Sequence, residues 1–288
     1  MSLNQELDWN PQDFQFVQPY CPPRVNASSL ETMVHLKPFV TVTYAQSMDS
    51  MLAAAQGVQT HLSGGETKRM THALRSCHDA ILIGVNTALA DDPGLNCRLQ
   101  GMGIESQPRP IILDPKGRWN ITKESRIMQA AASGLAKAPW IITDLAYLDD
   151  ERADLLDSYG GAVIPVTDET DAEQEAGQEG LKFKWEDIMQ VLTSRGIRSL
   201  MVEGGATVIN ELLSQRYRQL VDSVIITIAP VWLGEGGVRV EPLRWEGLEG
   251  ENETRLMGVT SHRLGNDTVV CGRVKRESDV QRDTNQAE

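Results

Sequence analysis

The sequence predicts an α/β domain whose mainly parallel central sheet is flanked by helices. Three observations predict it. From residue 38 onward, short β-branched runs alternate with stretches of helical periodicity, the order that builds strand, helix, strand units. Two apolar runs, AILIG at 80–84 and SLMVEG at 199–204, end in glycine where segments suited to ligands begin. No clean linker divides the core, so the 288 residues are read as one large domain.

Taken in order, residues 1–35 carry Pro11, Pro19, Pro22 and Pro23 without sustained periodicity and are expected to form an N-terminal arm, loosely ordered or lying on a surface. The domain proper is expected over 36–274. FVTVTYAQS at 39–47 reads as a strand, ETKRMTHALRSCH at 66–78 as a helix and AILIG at 80–84 as a second strand. Further strands are predicted at 110–114, 140–143, 162–167, 199–204, 223–230 and 268–273, with helices at about 185–195 and 206–216. Residues 168–180, DETDAEQEAGQEG, hold six acids and no base and read as an exposed insertion. Residues 275–288 read as a polar tail.

Composition narrows the class. Hydrophobic residues make up 41% and charged residues 23%, a globular mix, and no run approaches a membrane span. The N-terminus has acids where a leader would carry basic charge and lacks an apolar stretch, so a cytosolic chain is expected. Cys21, Cys77, Cys97 and Cys271 contain no CxxC pair and read as ordinary thiols. The net charge of −13 argues against nucleic acid and anionic lipid as partners. It is concentrated in the arm, the insertion and the tail, so a small anionic ligand remains compatible with the core.

Two segments are candidates for chemistry. GVNTALADDPGLNCR, Gly84 to Arg98, follows a strand end, where ligands bind in such sheets. There Thr87 and Asp91 can hydrogen-bond ribose hydroxyls or an amide, while Arg98 offers a fork suited to phosphate. The alternative is a plain turn, since Asp-Asp-Pro-Gly is strong turn chemistry. VEGGATVINELL, Val202 to Leu213, places Glu203 at a strand end, then two glycines, then a helix start whose free N–H groups attract an anion. A tight turn capped by Thr207 is the other reading. It is neither a GxGxxG fingerprint nor a P-loop. GEGGVR at 234–239 is a second glycine loop or a flexible crossover. The five histidines show no HExxH or HxE spacing, and the zinc deaminase signature is absent, so no metal site is predicted. No GxSxG elbow appears either.

The motifs PFVTVTYAQSMDS with Ser47 and Asp49, HLSG at 61–64, LRSCHDAILIGVNTALADDPGLNCR at 74–98, VEGGAT at 202–207 and ITIAPVWLGEGG at 226–237 carry a resemblance. Over Pro38 to Arg273 the chain resembles the riboflavin-pathway reductases of fungi and archaea, which act on 2,5-diamino-6-ribosylamino-4(3H)-pyrimidinone 5′-phosphate. The resemblance implies a dihydrofolate-reductase-like fold, NADPH as cofactor and a homodimer. It places Thr87 and Asp91 on the cofactor, Gly204, Gly205, Ala206 and Thr207 against its phosphates, and Val163, ending a strand beside the nicotinamide region, as a further cofactor contact. For the substrate it points to Arg75, Leu95, Arg98 and Glu203. Bacterial members have Trp near position 61 and Arg soon after Asp49, where this chain has His61, Ser50 and Met51.

The reaction so implied converts a ribosylamino to a ribitylamino group. Ring opening gives an imine at C1′, which receives a hydride from the cofactor and a proton at nitrogen. The protein's task is then orientation and charge placement, not nucleophilic attack. Glu203 is the candidate for holding or protonating the sugar chain. Two other functions stay open on the sequence: a reductase of another pterin-like ring, and a non-catalytic nucleotide-binding protein.

Overall fold

The computed structural model describes residues 6–23, 37–166, 183–243 and 253–276. The acidic insertion expected at 168–180 and most of the expected tail lie outside the described residues. The strands are β1 (Phe39–Gln46), β2 (Met51–Ala53), β3 (Ala80–Gly84), β4 (Arg109–Leu113), β5 (Trp140–Asp144), β6 (Ala162–Val166), β7 (Ser199–Gly204), β8 (Ser223–Ile228), β9 (Val238–Arg239), β10 (Leu256–Leu264) and β11 (Asp267–Val274). The helices are α1 (Gly65–Ser76), α2 (Val85–Asp91), α3 (Arg126–Ala132), α4 (Asp150–Asp157), α5 (Trp185–Ser194) and α6 (Ala206–Leu212).

Nine strands form one sheet in the order β10-β11-β8-β1-β7-β3-β4-β5-β6. The pairings from β8 to β6 are all parallel, and β11 and β10 add an antiparallel edge. This is the predicted α/β architecture with a mainly parallel sheet. Its central strands read as nearly unbroken apolar runs because both faces are covered. On one face Val40, Val42, Leu82, Leu200 and Val202 pack against Ile188 and Leu192 of α5 and Val208, Ile209 and Leu212 of α6. On the other, Met201 and Ile225 meet Met70 and Leu74 of α1, and Ile81, Ile83 and Ile112 meet Val85, Ile127 and Leu156.

The same face carries the described part of the expected arm. Pro11–Tyr20 is a 3₁₀ helix, capped by the Asn10 side chain, that buries Phe14, Val17 and Tyr20 against the α1 side of the sheet. The Tyr20 hydroxyl lies 2.5 Å from the Gly258 carbonyl oxygen and donates to it.

Six strands and helices went unpredicted, among them the short strands β2 and β9. Helix α2 falls in the segment that also read as a turn. Helices α3 and α4 are short. Strand β10 is exposed along most of its length, so no apolar alternation betrays it. It exists because its backbone pairs with β11 through the tight turn at Gly265, which has φ +65°. The predicted helix at 206–216 ends earlier, at Leu212. Among the described residues no helix is long and apolar enough to cross a membrane.

Candidate active site

The neighbouring strands β3 and β7 run parallel, but their connections leave on opposite faces of the sheet. Helix α2 follows β3 onto the α1 face, and α6 follows β7 onto the α5 face. A crevice opens where two such connections part, beyond the carboxyl ends of the strands. A cavity of about 590 Å³ occupies this place. Its walls are the ends of β1 and β7, the starts of α2 and α6, Lys68 of α1 and the segment 55–63.

The two helix starts meet closely. Gly205, at the N-cap of α6, has φ +80°, and a Cβ there would lie 3.1 Å from Thr87 Oγ1. Only glycine adopts that conformation without strain. Neither α2 nor α6 has a side-chain cap. The cap is Gly205 in α6, so Thr207 does not serve as one, and residues at the starts of both helices line the cavity. Asn86, Thr87, Asp91 and Thr207 line the cavity and make no side-chain hydrogen bond among the described residues. Burial raises the Asp91 carboxyl above its usual range, with His61 opposing the shift. Tyr44, also on the wall, is pushed up to about 12 by burial. These free hydrogen-bonding groups beside a glycine cradle fit a dinucleotide.

Glu203 also lines the cavity, at the end of β7. Its two oxygens accept from Arg75 of α1, Nε to Oε1 at 2.6 Å and Nη2 to Oε2 at 2.5 Å. Arg75 Nη1 donates to the Asn96 carbonyl oxygen at 2.9 Å. Both side chains are 14% exposed. Burial works against the Arg75 charge, but the adjacent carboxylate outweighs it and the guanidinium sits above its usual value. Arg75 is therefore a buried partner of Glu203 and not itself a wall of the cavity.

Three further expected site residues are not among those lining the cavity. Leu95 is 3% exposed and packed with Ile81, Ile83 and Val85, so its side chain belongs to the core. Its φ of +51° marks a tight bend after α2, pinned where Gln107 bonds both the N–H and the carbonyl of Cys97. Arg98 does not line the cavity; its Nη2 lies 3.2 Å from His72 Nε2, and its backbone N–H donates to His72 Nδ1 at 3.1 Å. Val163 is the second residue of β6, not a strand end. It sits at the sheet's far edge, and pairings through Ile141, Ile112 and Ile83 separate it from Gly204.

Sequence reasoning missed Lys68 and His72. With Arg75 they fall at i, i+4 and i+7 on one face of α1, a spacing that would have flagged them. Burial, Arg75 and Arg98 together push His72 down to about 2. GEGGVR proves to be a structural crossover. Asp49 accepts from the Leu233 and Gly234 N–H groups at 3.1 and 2.8 Å, and β9 pairs with β2, leaving Val238 as its contribution to the wall. The Ser47 hydroxyl on Asp49 is the main reason that carboxyl is lowered to about 2. Among the described residues no group of three His, Cys, Asp or Glu side chains is placed to hold a metal.

Residues 38–270 match the family described as RibD C-terminal domain. The chain is 45% identical to the 2,5-diamino-6-ribosylamino-4(3H)-pyrimidinone 5′-phosphate reductase of Debaryomyces hansenii over 240 residues, covering 83% of this chain and 90% of that one. It is 36% identical to the reductase of the same name from Saccharomyces cerevisiae over 262 residues, covering 90% and 94%. Among solved structures, the riboflavin biosynthesis reductase of Saccharomyces cerevisiae is similar with a TM-score of 0.67 at 32% identity, over 91% of this chain and 98% of that one.

Proposed function

Because the chain belongs to the family of RibD C-terminal domains, we propose that it reduces the ribosylamino side chain of 2,5-diamino-6-ribosylamino-4(3H)-pyrimidinone 5′-phosphate to the ribitylamino product, with NADPH as reductant. The relatives carry this name over nearly their whole length. The observation that carries the reading is the cavity at the β3/β7 divide. There a glycine cradle and unpartnered Thr87, Asp91 and Thr207 stand beside a carboxylate fixed in place by Arg75.

In this reading Gly204, Gly205, Ala206 and Thr207 receive the cofactor phosphates, because the uncapped start of α6 offers N–H groups with no side chain in the way. Thr87 and Asp91, one turn apart on α2, bond the cofactor's sugar or amide. When bound, NADPH supplies the hydride that reduces C1′ of the opened ribose. The chain's own work is orientation and electrostatics. Glu203 faces the cavity with both oxygens already accepting from Arg75, so its role is to accept from sugar hydroxyls and to favour positive charge at the imine nitrogen. Donating a proton would require that pair to break. The resemblance that led to this function also implies a cytosolic homodimer.

The test is turnover. Purified protein should oxidise NADPH only when given the ribosylamino pyrimidinone phosphate, with a product heavier by two hydrogens. Equal or better turnover of dihydrofolate or another pterin would replace this substrate assignment. Cofactor binding without turnover of any of these would favour a nucleotide-binding protein.

A further inference from the structure

The segment 96–98 lies against α1, where Cys97 packs with Met70, Ala73 and Leu74. Its backbone is pinned from three sides. Gln107, in the same loop, bonds the N–H and the carbonyl of Cys97 at 2.7 and 2.9 Å, and the Leu7 N–H of the arm donates to the Arg98 carbonyl at 2.8 Å. Neither of these partners belongs to α1. From α1, Arg75 Nη1 donates to the Asn96 carbonyl at 2.9 Å, and His72 makes the other two contacts. Its Nδ1 accepts from the Arg98 N–H at 3.1 Å, and its carbonyl oxygen accepts from the Cys97 thiol at 3.1 Å. The remaining nitrogens of the Arg75 fork hold Glu203.

We propose that His72 is a positioning residue of this site: by tying the segment 96–98 to α1 it fixes the Asn96 carbonyl, and with it the direction of the Arg75 fork that holds Glu203 at the cavity wall. The proposal rests on the reductase reading and deepens it, because in that reading Glu203 meets the substrate's sugar. The chemistry of the ring suits the task. His72 is 4% exposed and flanked by Arg75 and Arg98, so it stays neutral. A neutral ring that accepts at Nδ1 carries its proton on Nε2. That Nε2 lies 3.2 Å from Arg98 Nη2, and two donors make no hydrogen bond. The ring therefore holds the backbone of Arg98 and not its guanidinium. A guanidinium is a planar fork, so its orientation is set once all three nitrogens are engaged. If the Asn96 carbonyl shifts, Arg75 keeps its charge beside Glu203 but loses the third point that fixes its plane, and the carboxylate turns with it.

The test uses the full chain. His72→Leu removes the acceptor, and His72→Asn sets its amide oxygen where Nδ1 stands. Each is made alone and with Glu203→Gln, then assayed for turnover of the ribosylamino pyrimidinone phosphate, NADPH binding by fluorescence titration, and denaturant unfolding. In His72→Leu, kcat should fall about tenfold, the rate equivalent of one lost hydrogen bond, with the NADPH Kd within about twofold of wild type. His72→Asn should recover most of the lost kcat. In the Glu203→Gln background His72→Leu should cost less than about twofold, because the group it positions is already gone. Unfolding midpoints should show the same non-additivity, although no hydrogen bond joins His72 to Glu203 among the described residues. A His72→Leu enzyme that unfolds earlier yet keeps wild-type kcat, or loses the same factor in both backgrounds, would overturn the proposal. Should His72→Leu not fold, His72→Gln, whose amide sits one bond farther out, takes its place. Wild-type protein that reduces nothing would overturn the reductase reading alone; the unfolding cycle then decides the role of His72, additive shifts refuting it and non-additive shifts supporting it.

Discussion

The Arg75–Glu203 pair joins α1 to the end of β7 at the cavity wall, and removing either partner should show what it holds. Each side chain is 14% exposed, and two hydrogen bonds of 2.6 and 2.5 Å join them. Truncating one partner of a buried pair leaves the other charge desolvated, at a cost of about 3–5 kcal/mol when burial is complete. The residual exposure to the cavity places Glu203→Gln at the low end, about 3 kcal/mol. Arg75→Met should cost more, by about 1 kcal/mol, because it also orphans the Asn96 carbonyl. For a chain of this size these costs correspond to falls in Tm of roughly 6–12 °C for Glu203→Gln and roughly 8–16 °C for Arg75→Met. The double variant should be less damaged than the sum of the two, by about 2 kcal/mol, since no lone charge remains. Denaturant unfolding of the four proteins gives the cycle. Coupling within about 0.5 kcal/mol of zero would refute the claim that the two groups hold each other. Turnover provides the second readout: Glu203→Gln should lower kcat while cofactor affinity, read by fluorescence titration, stays near wild type.

Gly205→Ala forces φ +80° on a residue with a Cβ and brings that Cβ to 3.1 Å from Thr87 Oγ1, so stability should drop by about 1–2 kcal/mol and cofactor affinity should fall with it. Unchanged thermal unfolding and unchanged NADPH titration together would remove this turn from the site. Buried His72 and His78 are lowered from 6.5 to about 2 and about 4, chiefly by desolvation. Below pH 6.5 the unfolded chain therefore takes up more protons than the folded one. Stability should fall as pH falls, by about 1.4 kcal/mol per unit for each ring, with both contributing down to about pH 4 and His72 alone below it. Denaturant midpoints measured across that range check it, and a midpoint flat between pH 6.5 and 5 would contradict the burial of both rings.

The strand and helix alternation was legible because parallel strands buried on both faces must be apolar runs, and AILIG, SLMVEG and SVIITI show it without any neighbour in view. Strand ends followed by glycine lie where a cavity opens, and Thr87, Asp91, Glu203 and residues 204–207 all line it. Such signals are local: they depend on a residue and its next few neighbours. What each charged side chain touches is not local. Arg75 and Glu203 are 128 residues apart, and only the packing of α1 over β7 brings their forks together. The same packing places Arg98 on His72, buries Leu95 beside Ile81 and leaves Lys68 facing the cavity. Strand order carried Val163 to the far edge, because a sequence lists strands in the order they are made and a sheet arranges them by crossover. Residue type and spacing thus determined where polar groups could gather, while the tertiary structure decided which of the basic groups is paired and which lines the cavity.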